Sequence, residues 1–189
     1  DAAALRQATG LLAITGAQPD SLALLQERHG LECAIRIDAG SRVLGGPREA
    51  LDAAAQEATS LGWRANLLNI ALASHTRWMA SAVSEMANAL ERVRCCAPTT
   101  RLFTNAGGLV RDAEAARLAL SRQIAQTVRW DECMDAIAAT GVKAVLEIGP
   151  GQSLARMWNE RFQEVPARSA DEFRSASGLA RWLEGTLAV

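Results

Sequence analysis

"ECAIRIDAGSRVLGG", residues 32–46, decides the fold. "ECAIRI" and "SRVLGG" are short apolar runs on either side of Asp38-Ala39-Gly40, and read as two strands joined by a tight loop. Upstream, "PDSLALLQERHG" (19–30) has helix-start chemistry at Pro19, Asp20 and Ser21, an apolar face and Gly30 as a stop. His29, in its last turn, reads as a surface residue at a helix C-terminus, where a cation is favoured. Downstream, "PREALDAAAQEATSLG" (47–62) places Pro47 at a first helical position and Gly62 just past the end. Leu51, Ala54, Ala58 and Leu61 share one face at helical spacing. "GLLAITG" (10–16) and "RANLLNIAL" (64–72) supply the outer strands. The order strand-helix-strand-strand-helix-strand over residues 10–70 predicts a ferredoxin-like layer of helices on an antiparallel sheet.

Residues 71–189 follow a different plan. "RWMASAVSEMANALERV" (77–93) is an amphipathic helix with Met79, Val83, Met86, Leu90 and Val93 inward, the methionines serving as core filler. "TRLFTN" (100–105) reads as a strand, and "DAEAARLALSRQIAQ" (112–126) and "RWDECMDAIAATG" (129–141) as helices. "KAVLEIG" (143–149) reads as a buried strand and "GPGQSLARMWNERF" (149–162) as a turn into a further helix. Strand alternating with helix predicts a mainly parallel sheet, and so an α/β protein.

The bulk numbers narrow the function. The 189 residues can bury a real core, and 49% hydrophobic with 22% charged residues is ordinary for a globular protein. A formal net charge of −1 gives no electrostatic reason to expect nucleic acid or an anionic membrane. Arg-Trp recurs at 77–78, 129–130 and 181–182; without a basic surplus it reads as arginine stems packed on tryptophan. No apolar run is long enough to cross a bilayer. Asp1 in place of Met suggests a processed, trimmed or partial protein. Cys33, Cys95, Cys96 and Cys133 make no Cys-x-x-Cys, and read as reduced thiols in a cytoplasmic protein.

Chemistry points to one residue. "NIALASHTRW" (69–78) ends an apolar run with Ser74-His75, a place where a base could face a cleft. A serine nucleophile would need a sharp turn such as Gly-x-Ser-x-Gly, which the sequence does not contain. Ser74 is badly placed to serve its own neighbour, since adjacent side chains on an extended segment point opposite ways. Two isolated histidines and scattered cysteines make no metal site. Gly149-Pro150-Gly151 before a helix fits either an anion cradle of backbone N–H groups or a tight strand-to-helix turn.

Four segments taken in order, "LNIALASHTRWM", "APTTRLFTN", "LSRQIAQTVRW" and "LEIGPGQSLARM", resemble the C-terminal half of the malonyl-CoA:acyl-carrier-protein transacylase family. The preceding βαββαβ segment resembles that family's small ferredoxin-like subdomain. The resemblance implies residues 10–70 as that subdomain and 71–189 as the C-terminal part of the α/β large subdomain. The nucleophile-bearing N-terminal part would lie outside this chain. It implies His75 as the catalytic base and the backbone carbonyl oxygen of Gln123 as the acceptor for His75 Nδ1–H. Ser74 would line the acyl pocket, and Asn105 would support a loop near the cleft. Asp38 departs from the family's pattern, which has Asn and an added Pro in that loop.

The implied activity is transfer of a malonyl group from CoA to an acyl-carrier-protein thiol through a malonyl-serine. No bound cofactor is implied; malonyl-CoA is the substrate, and the partner carries a phosphopantetheine-type prosthetic group. "ARSADEFRSASGLARWL" (167–183) resembles the ending of the transacylase (epsilon) subunit of biotin-independent malonate decarboxylase. There a strand reaching Arg168-Ser169 leads into Asp171-Glu172-Phe173 at the start of a final helix. That likeness would add other malonate decarboxylase subunits as partners. The alternatives are a transacylase of fatty-acid or polyketide synthesis, and a non-catalytic module that docks a carrier.

Overall fold

The computed structural model describes residues 8–105 and 108–188. The protein is a mixed α/β structure that divides into two compact units, one running to Cys133 and the other from Met134. The βαββαβ order is therefore only part of its unit, which runs well past residue 70.

In the first unit the elements are β1 (Thr9–Thr15), α1 (Pro19–Arg28), β2 (Glu32–Arg36), β3 (Arg42–Pro47), α2 (Arg48–Ser60) and β4 (Arg64–Leu67). A short α3 (Ala80–Glu91), β5 (Leu102–Phe103), β6 (Leu109–Val110), α4 (Ala113–Arg122), β7 (Val128–Arg129) and the start of α5 (Trp130–Ala138) follow. The main sheet has the order β4-β1-β3-β2-β7. Its first four strands pair antiparallel, the ferredoxin-like arrangement, and β7 joins parallel to β2. The tight loop between β2 and β3 is closed by Gly40 N–H donating to Asp38 Oδ1 at 2.8 Å, the local bond that suits Asp to turns.

β1 is apolar on both sides because both of its faces are covered. Leu12 and Ile14 pack with Leu22 and Leu25 of α1 and Leu51, Ala54 and Ala58 of α2. On the opposite face Leu11 packs with Ala34 and Val43, joined by Leu68. Leu68 N–H donates to Leu11 O at 2.9 Å, but β4 has already ended at Leu67. The strand read over 64–72 is thus cut short, and residues beyond Leu67 run over the sheet instead of extending it. Leu61, read as part of the buried face of α2, lies past the helix end and is exposed.

α3 also buries less than its sequence suggests. Leu90 is its one buried residue, Met79, Val83 and Met86 are half-buried, and Val93 is exposed. Arg117 of α4 closes the end of α3, donating from Nε to Leu90 O and from an Nη to Val93 O. Asp112 caps α4 by accepting from Ala115 N–H.

The second unit holds β8 (Val145–Glu147), α6 (Ser153–Arg161), β9 (Ala167–Ser169) and α7 (Ala176–Leu187). β8 and β9 pair parallel. β5 and β6 form an antiparallel hairpin, so among the described residues of 71–189 the parallel pairing expected from alternating strand and helix is found in β8-β9 and in β7 on β2, and not in this hairpin. β8 is half-buried, not buried, and Ile148 just after it is 84% exposed. Trp158 Nε1–H donates to Val165 O, and the Asn159 side chain brackets Ala167 by both accepting from its N–H and donating to its O. Asp171-Glu172 form a single 3-10 turn (Ala170–Glu172); the final helix starts only at Ala176, capped by Ser175. No helix among the described residues is long and apolar enough to cross a membrane.

Candidate active site

His75 lies at the tip of a turn over residues 73–76, not on an extended segment, and is the one non-glycine among the described residues with positive φ, 62°. Its backbone N–H donates to Ile124 O at 2.8 Å. Its ring Nδ1 lies 2.7 Å from Gln123 O. A carbonyl oxygen only accepts, so Nδ1 carries the hydrogen and Nε2 of the neutral ring keeps its lone pair. That is the tautomer a base needs. Because the partner is a backbone oxygen, the side chain at 123 is not what holds the ring.

The two halves of this contact ride on the same sheet. Ala73 N–H donates to Thr9 Oγ1 of β1 at 3.1 Å, and Arg77 N–H to Glu32 Oε2 of β2 at 2.8 Å. Arg77 also stacks over Trp78, 4.2 Å from the ring centroid, the packing read for that Arg-Trp pair. Gln123 opens a 3-10 turn (Gln123–Ala125) at the end of α4. Two residues past that turn, Thr127 Oγ1 donates to Cys33 O at 2.7 Å, and Val128 then pairs with Ile35 of β2. β2 is irregular between Cys33 and Ile35 in its pairing with β3, a feature common beside functional sites.

Electrostatics brace the same edge. Arg36 of β2 donates to Asp131 at 2.7 Å and also pairs with Glu132, both in the first turn of α5. The guanidinium holds the Glu132 carboxyl below its usual range, and the two carboxylates raise Arg36 further. Burial pushes the Cys33 thiol up, so its sulfur is protonated and inert at neutral pH.

Of the four candidate residues, the structure brings His75 and Gln123 into direct contact. Ser74 is half-buried beside His75. Asn105 is tied through its backbone to β7, its O accepting from Arg129 N–H at 2.6 Å. The Asn105 Oδ1 is buried without a hydrogen-bond partner among the described residues. His29 is more enclosed than a free surface residue: Nε2 lies 2.8 Å from Glu57 Oε2, tying the end of α1 to α2.

In the second unit one amide of the Gly149-Pro150-Gly151 turn and one of the helix that follows meet carboxylates of the same unit. Gly151 N–H donates to Asp171 Oδ2 and Ala155 N–H, in the first turn of α6, to Glu147 Oε2, each at 2.8 Å. Ser169 Oγ donates to Gly151 O at 2.6 Å. These two amides are thus satisfied within the unit, as a tight strand-to-helix turn requires.

Sequence reasoning passed over Gly45, Thr76, Glu32, Thr9 and Thr127. One signal was present: Gly45-Gly46 inside an apolar strand marks a place where another backbone comes close.

An imidazole in a single tautomer, held from a backbone oxygen on an α/β sheet, defines the class: an α/β protein with the makings of a base for nucleophilic chemistry. Over 162 residues the chain is 32% identical to the malonyl CoA-acyl carrier protein transacylases of Mycobacterium bovis and Mycobacterium tuberculosis, matching 85% of this chain and 53% of theirs. The Salmonella typhimurium transacylase is 30% identical over 70% of this chain and 44% of its own length. The crystal structure of the Mycobacterium tuberculosis protein superposes with a TM-score of 0.84 at 31% identity, covering 93% of this chain and 57% of that one. A complex of a type II polyketide acyl-carrier protein with its malonyl-transacylase superposes at 0.85 and 26% identity, over 97% of this chain and 60% of that one. No protein-family model matches. The chain is related in sequence and fold to the malonyl CoA-acyl carrier protein transacylase family, and spans about half the length of the curated relatives it matches.

Proposed function

We propose that this chain supplies the base of an acyltransferase that moves a malonyl group from CoA to the thiol of an acyl carrier protein, in fatty-acid or polyketide synthesis. The 2.7 Å contact of His75 Nδ1 with Gln123 O, in a chain related to transacylases, carries the reading. The nucleophilic serine belongs to a part of the family's fold outside these residues, since this sequence has no Gly-x-Ser-x-Gly. His75 Nε2 takes the serine proton as Oγ attacks the malonyl thioester carbon. The imidazolium returns that proton to the departing CoA sulfur. The carrier thiol then gives its proton to Nε2 and attacks the malonyl-serine, and the released serine is reprotonated by His75. The Gln123 carbonyl steadies each imidazolium, though less strongly than a carboxylate would. Ser74 borders the acyl carbon and Asn105 supports the loop beside it. The protein holds no cofactor of its own; the phosphopantetheine-type arm is the carrier's. The four free cysteines suit a cytoplasmic setting.

The test is malonyl transfer by the complete enzyme that includes this chain. His75→Ala should reduce it by about 10²–10⁴-fold, the range general-base catalysis supplies, while the fold is kept. Near-normal turnover would remove His75 from the chemistry. The likeness of residues 167–183 to a malonate decarboxylase subunit motivates a second reading, in which the carrier is that enzyme's small subunit. Supplying each carrier protein in turn separates the two. A protein that binds a carrier but transfers nothing in any complete form would be a docking module.

A further inference from the structure

Leu11, Gly45 and Glu32 stand opposite one another across β1, β3 and β2, so their side-chain positions share one face of the sheet. On that face Gly45 leaves a gap, and the His75 turn fills it. A Cβ at Gly45 would lie 2.8 Å from Thr76 Cγ2, 3.2 Å from Leu11 Cδ2 and 3.4 Å from Ala73 Cβ. Thr76 is 1% exposed, and its Oγ1 donates to Ala73 O at 2.5 Å, closing the turn whose apex is His75. Thr9 and Glu32 pin the turn's two ends. Nothing in the proposed acyl transfer requires a threonine buried against a bare strand. What it requires is that the imidazole keep its height above the sheet.

We infer that Gly45 and Thr76 are positioning residues for His75. The bare strand at 45 lets Thr76 seat against the sheet, and Thr76 so seated sets where Nδ1 meets the Gln123 carbonyl. The inference rests on His75 being the base. Gln123 has anchors of its own on β2, through Thr127 on Cys33 O and Val128 on Ile35, and its neighbour Ile124 accepts from His75 N–H at 2.8 Å, so lifting Thr76 pulls the turn against a segment that β2 holds down. A methyl at 45 would need Thr76 to give by about 0.6 Å or more to recover ordinary separation. A displacement of that size along the bond would stretch the 2.7 Å Nδ1–O contact to about 3.3 Å, just past the usual N–H···O range. The ring would then lose its single tautomer.

The experiment is nitrogen-15 NMR of this protein labelled at histidine, with His29 as internal reference. Wild type should show one His75 tautomer with a slowly exchanging Nδ1–H. Gly45→Ala should lose that proton signal and mix the tautomers, with His29 and the circular dichroism unchanged. Thr76→Ser alone keeps the hydroxyl that bonds Ala73 O and should keep the signal. Gly45→Ala with Thr76→Ser removes the methyl that the new Cβ strikes, and should restore it. Should Gly45→Ala not fold, Thr76→Val gives the answer, since it deletes the Ala73 bond and should also lose the signal. A folded Gly45→Ala with His75 unmoved overturns the inference, as does a Thr76→Val that leaves it unmoved. In the complete enzyme, Gly45→Ala should lower kcat by up to about 10²-fold with KM for malonyl-CoA held. If His75→Ala leaves transfer intact while Gly45→Ala still moves the ring, the proposed function fails, and Gly45 and Thr76 place a ring that has no part in the transfer. The reverse pattern sinks the positioning alone.

Discussion

His75→Gly separates a residue kept for chemistry from one kept for packing. At φ 62° a histidine carries about 1–2 kcal/mol of backbone strain that glycine does not feel. Glycine gives back about 0.5–1 kcal/mol through the greater freedom of the unfolded state. Loss of the Nδ1–H bond to Gln123 O removes about 1 kcal/mol, and the half-buried site lets water take the freed carbonyl. These terms nearly cancel, so stability should change by no more than about 1 kcal/mol, or about 4 °C in Tm for a protein of this size. Transfer is another matter. With no imidazole it should fall by about 10²–10⁴-fold, which corresponds to about 3–5 kcal/mol of barrier. Urea denaturation of this protein gives the first number, and carrier malonylation by the complete enzyme gives the second. A variant destabilised by more than about 3 kcal/mol would show a core residue instead; one that still transfers at the normal rate would refute the role of the base.

Gln123→Ala keeps the backbone oxygen and should leave transfer within about threefold of wild type, as a side-chain truncation away from the chemistry does; a loss comparable to that of His75→Gly would move the role to the side chain. Ser169→Ala should destabilise the protein by about 2–3 kcal/mol in urea, because Ser169 is fully buried, donates to Gly151 O and accepts from Asp171 N–H. Glu172 has its carboxyl held below the usual range by the Ser169 N–H and by Arg168. Its contribution is therefore present above the ordinary carboxylate pKa and lost as pH falls through the lowered folded value. The Tm gap between wild type and Glu172→Gln should shrink as the pH is lowered through that window; a gap that widens in acid contradicts the sign. Brief alkylation at neutral pH followed by mass spectrometry should mark exposed Cys96 well before Cys33 and Cys133, whose thiols burial pushes up.

The ferredoxin-like order was legible because each of its elements carries its own punctuation. Pro19 opens α1, Gly30 and Gly62 stop the two helices at positive φ, and Asp38 closes the hairpin. β4 was overread because an apolar run looks the same whether it pairs at a sheet edge or lies across a sheet face; Leu68 and Ala73 do the second. β7 is two residues long and exists only because β2 offers an edge to it, a long-range fact with no local signature. The site was half legible. His75 drew notice from its position, but only the family resemblance pointed to Gln123, since a backbone oxygen leaves no mark in a sequence. Gly45 and Thr76 were missed because their meaning lies in a gap between two segments about thirty residues apart.

The most direct measurement is a single-turnover burst. Malonyl-CoA is mixed with the complete enzyme that includes these residues, and free CoA is followed in the absence of any carrier. If the imidazole at 75 takes the nucleophile's proton, wild type releases one CoA per active site with malonyl left on a serine, and His75→Gly shows no burst on that timescale. A burst of equal rate and size from the variant would contradict the account at its root.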